Sequence, residues 1–377
     1  MAGTDPAAPQ AQPEQHRFVM PALLSFQPTT NWIIRNAINT LIPFICREQG
    51  FSEDQRAMLL AAFYPGYVGA HIPGGILVQH LGGKVMLSAN MIGSALICAL
   101  LPLAARVKLS LRAPAFAALL AALGVMQGPL IPSLQTMRKD WIPRGPGRAL
   151  ALRLQDLGGT LTGVVYPLLP PLVAMRYGWK AFFGGYAIFC GVAALVWQRH
   201  ARDKPPSMGN APVRQDVDWS IFLEPRVLAM ITAQIGSGFA VYVMGQWQPI
   251  YFTEVLGATP MAAAVLFAWN EAAVFVCDWS VALLETVAER GGTPRLFIRK
   301  LATFIGAFGS AVSMAMFVNC RTPFGAAVAS YFCSGFYCFH HSGFAANLLE
   351  IGGTQTAMLN AVNNMLKSAA GIVCPPL

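Results

Sequence analysis

Charge is scarce in this 377-residue chain: Asp, Glu, Lys and Arg make up 11% of it, where soluble domains carry roughly 25%. That scarcity argues against a water-soluble globular fold. Acidic residues are the scarcer sign, 17 against 26 Lys and Arg, for a formal net charge of +9. No G-x4-G-K-[S/T] phosphate loop occurs, so nothing supports a self-contained ATP-driven pump. G-x-S-x-G and H-E-x-x-H are also absent, which leaves an enzyme without a centre, and no cofactor is expected. The cysteines show neither a disulfide framework nor zinc spacing. Residues 1–17, rich in Pro, Gln and Ala, lack the apolar core of a signal peptide and read as a disordered cytosolic tail.

What the chain has in abundance is apolar length: 55% hydrophobic residues and a mean hydropathy of +0.50. A membrane-spanning helix needs about 20 mostly apolar residues. Such stretches recur at 18–46, 57–79, 85–105, 113–136, 149–173, 181–198, 221–252, 261–287, 296–318, 322–349 and 354–377. The expected class is therefore an all-α, polytopic membrane protein of about 11 spans in a lipid bilayer. With the N-terminus in the cytosol, inner loops collect about twice as many Lys and Arg as outer ones, which is the positive-inside pattern. Basic clusters so placed hold topology, and no nucleic-acid partner is expected. The polar, basic, proline-bearing stretch 199–220 reads as a cytosolic linker between an N-terminal six-helix bundle, 18–198, and a C-terminal bundle of five predicted spans, 221–377. Paired six-helix halves around a central loop are the layout of many secondary transporters. Pro375, Pro376 and Leu377 fall inside the eleventh span, so the second bundle is expected to be truncated.

The ionisable residues inside spans are the candidate site. Arg35 lies in the first span, and its guanidinium keeps its proton, so it must face a partner or a watery cavity. Gln27, Asn31, Arg35 and Asn39 recur in steps of four, close to one helix face. A short amphipathic surface segment with a solvated arginine is the alternative. His71 is either a hydrogen-bonded packing histidine or a proton relay. Asp156 is either an ion-pair partner of Arg35 or Arg153 or an acceptor of a coupling proton. Glu271, deep in the eighth span with no cation near it in sequence, is either a coupling carboxyl or a neutral, hydrogen-bonded acid. Lys367 shares a polar side with Asn360, Asn363 and Asn364 and offers a second anion contact. His340 and His341 beside Cys333 and Cys338 fit no zinc pattern, and no metal is expected. Gly82, Gly83 and Lys84 close a very short loop after the second span.

The run Phe63 to Lys84, FYPGYVGAHIPGGILVQHLGGK, resembles the second helix and following loop of the anion:cation symporter branch of the major facilitator superfamily, FFWGY-x4-IPGG-x3-D-R-x-GGK. That branch includes sodium/phosphate cotransporters, sialin, vesicular glutamate transporters and plant plastid-type phosphate transporters. Arg35, Asn36 and Asn39 resemble its first-helix R-x-N-x-S run, Arg148 and Tyr177 to Trp179 its fifth-helix flanks, and Gln248 to Gly257 its seventh-helix exit. Arg299 and Lys300, Gly343 to Glu350 and Gly371 to Pro375 resemble runs of helices nine, ten and eleven. The resemblance implies a major facilitator fold and a monomeric secondary transporter, a symporter that moves inorganic phosphate or an organic anion by alternating access with a proton or sodium. It implies an anion contact at Arg35, a conformational loop at Gly82, Gly83 and Lys84 and a second-half loop carboxylate at Glu285; the placement of the polar residues themselves adds Asn31, Asn39 and Lys367 as expected substrate contacts and Glu271, Asp156 or His71 as expected coupling groups.

The departures are specific. The loop Asp-Arg is Gln79-His80, the aspartate before the first-helix arginine is Ile34, and the vesicular members' further cations and acid fall on Leu120, Gln127 and Ser237. These losses leave a second reading open, a degenerate, non-transporting member serving as receptor or scaffold. Plastid, vacuolar and plasma membrane all remain open as its location.

Overall fold

The computed structural model describes residues 14–142, 155–159, 162–163, 166, 168–205 and 217–373. Residues 1–13 of the expected tail, the connection 143–150, Arg153, linker residues 206–216 and the Cys374–Pro375 end of the last motif lie outside the described residues. Among the described residues there is no strand. The chain runs through α1 (Glu14–Gln49), α2 (Glu53–Gly69), α3 (His71–Leu81), α4 (Gly83–Ala104), α5 (Leu109–Gln127) and α6 (Leu130–Trp141). It continues through α7 (Leu169–Tyr177), α8 (Trp179–His200), α9 (Pro225–Ile250), α10 (Pro260–Arg290), α11 (Arg295–Val318), α12 (Pro323–Gly352) and α13 (Thr356–Val373). The described part of helix α1 begins at Glu14, inside the expected 1–17 tail.

Local chemistry sets several helix ends. At α2, Gln55 N–H donates to the Ser52 hydroxyl at 3.3 Å while Ser52 N–H donates to the Gln55 side chain at 3.0 Å, a capping box. Thr259 and Thr322 cap α10 and α12 by accepting from Ala262 and Gly325 N–H, each at 3.2 Å. Each of these helices then opens on a proline, Pro260 and Pro323, whose missing N–H costs nothing in the first turn. Two expected spans are broken rather than continuous. Pro73 has no N–H to give the Gly69 carbonyl, and the chain breaks at Ala70 between α2 and α3. Pro132 likewise cannot donate to the Gly128 carbonyl, and Gly128 and Pro129 separate α5 from α6. Pro65 sits inside α2 without breaking it.

Among the described residues, five stretches are long and apolar enough to cross a membrane by length and composition: Gly83–Ala104, Leu109–Trp141 taken through the α5–α6 junction, Trp179–His200, Met261–Arg290 and Arg295–Val318. Others among the expected spans are divided, as at Ala70, or carry polar faces, as α1 and α13 do. Large apolar side chains such as Ile188, Leu195, Phe304 and Phe308 are exposed on the outside, the surface a bilayer would cover. Inside, one apolar cluster joins α1, α2, α4, α5, α6, α7 and α8, with Trp179, Trp197, Phe116 and Phe183 fully buried. Separate clusters form around Val227 and Leu348, and around Phe252 and Phe317.

Glycines allow two close approaches. A side chain at Gly66 would run into the Ala121 carbonyl, and one at Gly124 into the Phe63 carbonyl, so α2 and α5 touch backbone to backbone. A Cβ at Gly75 would lie 2.9 Å from that of Ala361, which brings α3 against α13. Val78, Met86 and Ala357 pack together beside this contact. Helix α13 thus lies against α2, α3 and α6, joining the last described helix to the first part of the chain.

Candidate functional site

A cavity of about 1160 Å³ occupies the middle of the molecule, lined by α1, α2, α5, α6, the helical residues 155–159 and 162–163, and α9 to α13. Asn31, Arg35, Asn39, Asp156, Glu271, Glu285 and Lys367 all line it. His71, Gly82, Gly83 and Lys84 do not. Gln27, first of the four-residue series on α1, turns away and donates to the Met91 sulfur at 2.9 Å. Four residues overshoot a full turn, so the series drifts off one face along the helix.

The Arg35 guanidinium stands against three rings, 4.5 Å from the centroid of Tyr67, 5.5 Å from Phe63 and 5.6 Å from Trp32. Aromatic faces attract a cation and orient the planar group. Tyr67 and Phe63 come from α2 and are themselves stacked, 5.3 Å apart. One turn earlier on α1, the Asn31 amide donates to the Gln27 carbonyl at 3.0 Å and the Thr30 hydroxyl at 3.2 Å. That leaves its Oδ1 buried without a partner among the described residues.

Lys367 approaches the cavity from α13 and donates to the Tyr337 hydroxyl at 2.8 Å. Its stem runs against Gly238 of α9, where a side chain would collide with it. Nearby on α13, Asn360 and Asn363 are buried with Oδ1 atoms that no described group meets. Asn364 instead donates to the Tyr67 hydroxyl at 3.1 Å and meets His71 Nε2 at 2.6 Å. The other ring nitrogen of His71 faces the Tyr67 carbonyl, which can only accept, so Nδ1 carries the proton and Nε2 accepts from Asn364. His71 is fully buried and ties α3 to α2 and α13.

Asp156 pairs with Arg138, and the expected partner Arg153 lies outside the described residues. Arg138 and Arg299 are both buried and line the cavity. Helix α6 continues past the expected end of the fourth span at 136 and carries Arg138 inward to Asp156. Arg299 donates to the Asn347 side chain at 3.0 Å, and Arg295 meets Glu289 at 3.3 Å beside it. With Glu285, these form a charged rim where α10 ends and α11 begins. Glu271 lies on the opposite stretch of α10, its Oε2 2.9 Å from where a Gly163 side chain would start. No hydrogen bond or ion pair reaches its carboxylate from the described residues. The ring of Tyr166 packs edge-on against Phe267 one turn away, at 6.1 Å.

The short loop at Gly82 is a capped turn outside the cavity. Gly82 takes φ +85°, and Asp203 accepts from Lys84 N–H at 2.7 Å while filling the space a Gly82 side chain would need. Trp141 donates to the Asp203 carbonyl and Trp197 to the Lys84 carbonyl, both at 3.2 Å. The first residues of the expected 199–220 linker are therefore docked on this turn. Sequence reading missed Asp203, the rings around Arg35, and Arg138; the invariable charge of Arg138 within an amphipathic stretch was the available signal.

The Major Facilitator Superfamily profile matches residues 24–375. Probable anion transporter 4, chloroplastic, of Oryza sativa subsp. japonica is 26% identical over 347 residues, which cover 86% of this chain and 57% of that protein. The chloroplastic ascorbate transporter of Arabidopsis thaliana is 25% identical over 348 residues, 86% of this chain and 62% of its own. Sodium-dependent phosphate transport protein 1, chloroplastic, of Arabidopsis thaliana is 24% identical over 349 residues, with 86% and 66% covered. This chain thus spans less than two thirds of the length of these relatives. A crystal structure of a bacterial homolog to the human lysosomal transporter Spinster, inward-facing and unoccupied, matches with a TM-score of 0.67 at 15% identity, covering 96% of this chain and 82% of that one, a likeness of fold. With a central cavity between two sets of helices and a profile match across nearly its whole length, the chain belongs to the Major Facilitator Superfamily.

Proposed function

We propose that this chain is a secondary transporter that moves a small anion, inorganic phosphate or an organic anion, across a membrane by alternating access. The observation that carries the reading is Arg35, a permanent cation held by three rings on the wall of a central cavity. Relatives named for anion, phosphate and ascorbate transport support it. In this reading the guanidinium edge binds the anion, Asn31 and Asn39 orient it, and Lys367 adds a second positive contact. Glu271 takes the coupling proton or lies beside sodium, because it is a carboxylate in the same cavity without a described partner. Asp156, held by Arg138, serves structure rather than coupling. Residues 18–198 and 221–377 act as the two rocking bundles, the N-terminus is cytosolic, and the Gly82–Lys84 turn and Glu285 belong to the parts that rearrange between them.

The receptor or scaffold reading drew on the lost Asp-Arg of the loop. Asp203 caps that same turn, so the loss no longer argues for it. Uptake of labelled phosphate and ascorbate into proteoliposomes tests the proposal, with Arg35→Lys and Arg35→Ala as variants. Saturable uptake reduced at least tenfold in Arg35→Ala is expected. Equal uptake in both variants and the parent would remove Arg35 from the binding site.

A further inference from the structure

Just before α9 lies a short 3-10 helix, Trp219–Leu223, none of whose residues lines the cavity. Asp218 caps it, accepting from Ser220 N–H at 3.0 Å and from the Ser220 hydroxyl at 2.6 Å. Ile221 and Phe222 turn inward and pack on the cluster around Val227 and Leu348, which fixes the short helix to the base of α9. Trp219 and Leu223 face outward, 54% and 77% exposed. The Trp219 ring leans on Phe222, with centroids 5.8 Å apart, so one part of the indole is backed by protein while the rest is presented outside. A single exposed apolar side chain needs no explanation, but these two are continuous with others. Leu228 and Ile235 of α9 are also exposed; seven residues apart, they share one helix face, and neither lines the cavity.

Length sets the depth of this segment. Helix α9 has 26 residues, which at 1.5 Å per residue makes it about 39 Å long, against a hydrocarbon core of about 30 Å. A helix of that length that crosses the bilayer has its ends in the headgroup layers, and the 3-10 helix stands at one of those ends. Water and hydrocarbon meet there, and an indole, a broad apolar ring with one N–H donor, suits both. A soluble partner would have to reach into the same layer to cover Trp219 and Leu223. Charge narrows the lipid as well: Asp218 and Glu224 flank the helix and Arg226 follows, all exposed, so the segment has no positive excess with which to seek anionic headgroups.

We infer that Trp219–Leu223 is an interfacial anchor, with Trp219 and Leu223 seated among the glycerol and carbonyl groups of the bilayer and the entry of α9 thereby held at headgroup depth, whatever the charge of the lipid. The two ends of the linker are then held by different means, the first by Asp203 on the Gly82 turn and the second by the membrane. Nothing in this depends on which solute the cavity carries.

Quenching by brominated lipid tests the inference. Trp219 is one of eight tryptophans, so its emission is taken as the difference between the parent and Trp219→Phe, each as the full chain in phospholipid vesicles. That difference should be quenched about twofold more by lipid brominated near the headgroup than by lipid brominated near the chain end. The extent should be the same in zwitterionic and in anionic vesicles. Stronger quenching by the deep bromine, or quenching confined to anionic vesicles, overturns the inference. Quenching by aqueous iodide and by neither lipid would put the ring in water, and quenching by none of the three would put it under another protein surface; either result overturns the anchor. Melting temperature shows whether Trp219→Phe folds. If it does not, Leu223→Trp adds an indole at the exposed neighbour and gives the same depth reading from the emission it gains.

Discussion

Removing the Asp156 carboxylate should cost more stability than removing the Arg138 guanidinium it pairs with. The Arg138 side chain is only 7% exposed, whereas Asp156 is 28% exposed. Asp156→Asn leaves a permanent charge buried with a weaker acceptor, and breaking a buried pair this way costs about 3–5 kcal/mol. The partial exposure of Asp156 lowers the expected loss to roughly 2–4 kcal/mol, because water shares in the pair. Arg138→Met leaves a carboxylate that water reaches and that can take a proton, so about 1–2 kcal/mol is expected. The double variant should be more stable than Asp156→Asn alone, since it leaves no buried charge. For a chain of this size 3 kcal/mol corresponds to a fall of roughly 4 °C in melting temperature, scaling the per-residue unfolding entropy. Thermal unfolding of the four proteins in one detergent, followed by intrinsic fluorescence, closes the cycle. If the two single losses simply add in the double variant, the pair is not coupled and the assignment of Asp156 to structure fails. A loss of proton-coupled uptake in Asp156→Asn without loss of stability would return Asp156 to the coupling site.

Two further outcomes follow from particular contacts. Gly66→Ala forces a Cβ onto the Ala121 carbonyl, where backbone meets backbone and neither can yield, so a loss of about 3 kcal/mol or failure to fold is expected. Gly69→Ala, with nothing within 4 Å, should stay within about 0.5 kcal/mol; equal melting temperatures for the two would refute the α2–α5 contact. At the end of α1, Lys180 donates to Glu48 at 2.6 Å and Trp179 at 2.7 Å, and the Lys180 bond above all holds the carboxyl below its ordinary range. A depressed carboxyl contributes stability above its unfolded pKa and loses it as pH falls through the folded value. Glu48→Gln should therefore flatten the acid side of the melting-temperature profile. Because the pair is about half exposed, the change near neutral pH should be under about 1 kcal/mol; an unchanged acid limb counts against the bridge.

The Phe63 to Lys84 run identified the family, and the profile match and anion-transporter relatives agree with it. Apolar composition led to an all-helical membrane protein, while proline position decided what hydropathy could not, the breaks at Ala70 and at Gly128. In the candidate site, the intramembrane ionisable rule found Arg35, Glu271, Lys367 and Asp156, all of which line one cavity. That rule works on one residue at a time and is silent about partners. It did not see that Arg138 reaches Asp156 from 18 positions away, or that Asn364 reaches His71 from 293.

The sequence by itself determined class, family and the small set of groups too costly to place in a membrane without reason, because burial cost depends on residue type. Tertiary structure alone decided which of those groups are already satisfied. His71 meets Tyr67 and Asn364, Asp156 meets Arg138 and the Gly82 turn meets Asp203, while Asn31, Asn360 and Asn363 each keep a buried Oδ1 with no hydrogen-bond partner among the described residues. Satisfaction is a relation between atoms of distant segments, and only the folded chain brings those atoms within hydrogen-bond reach.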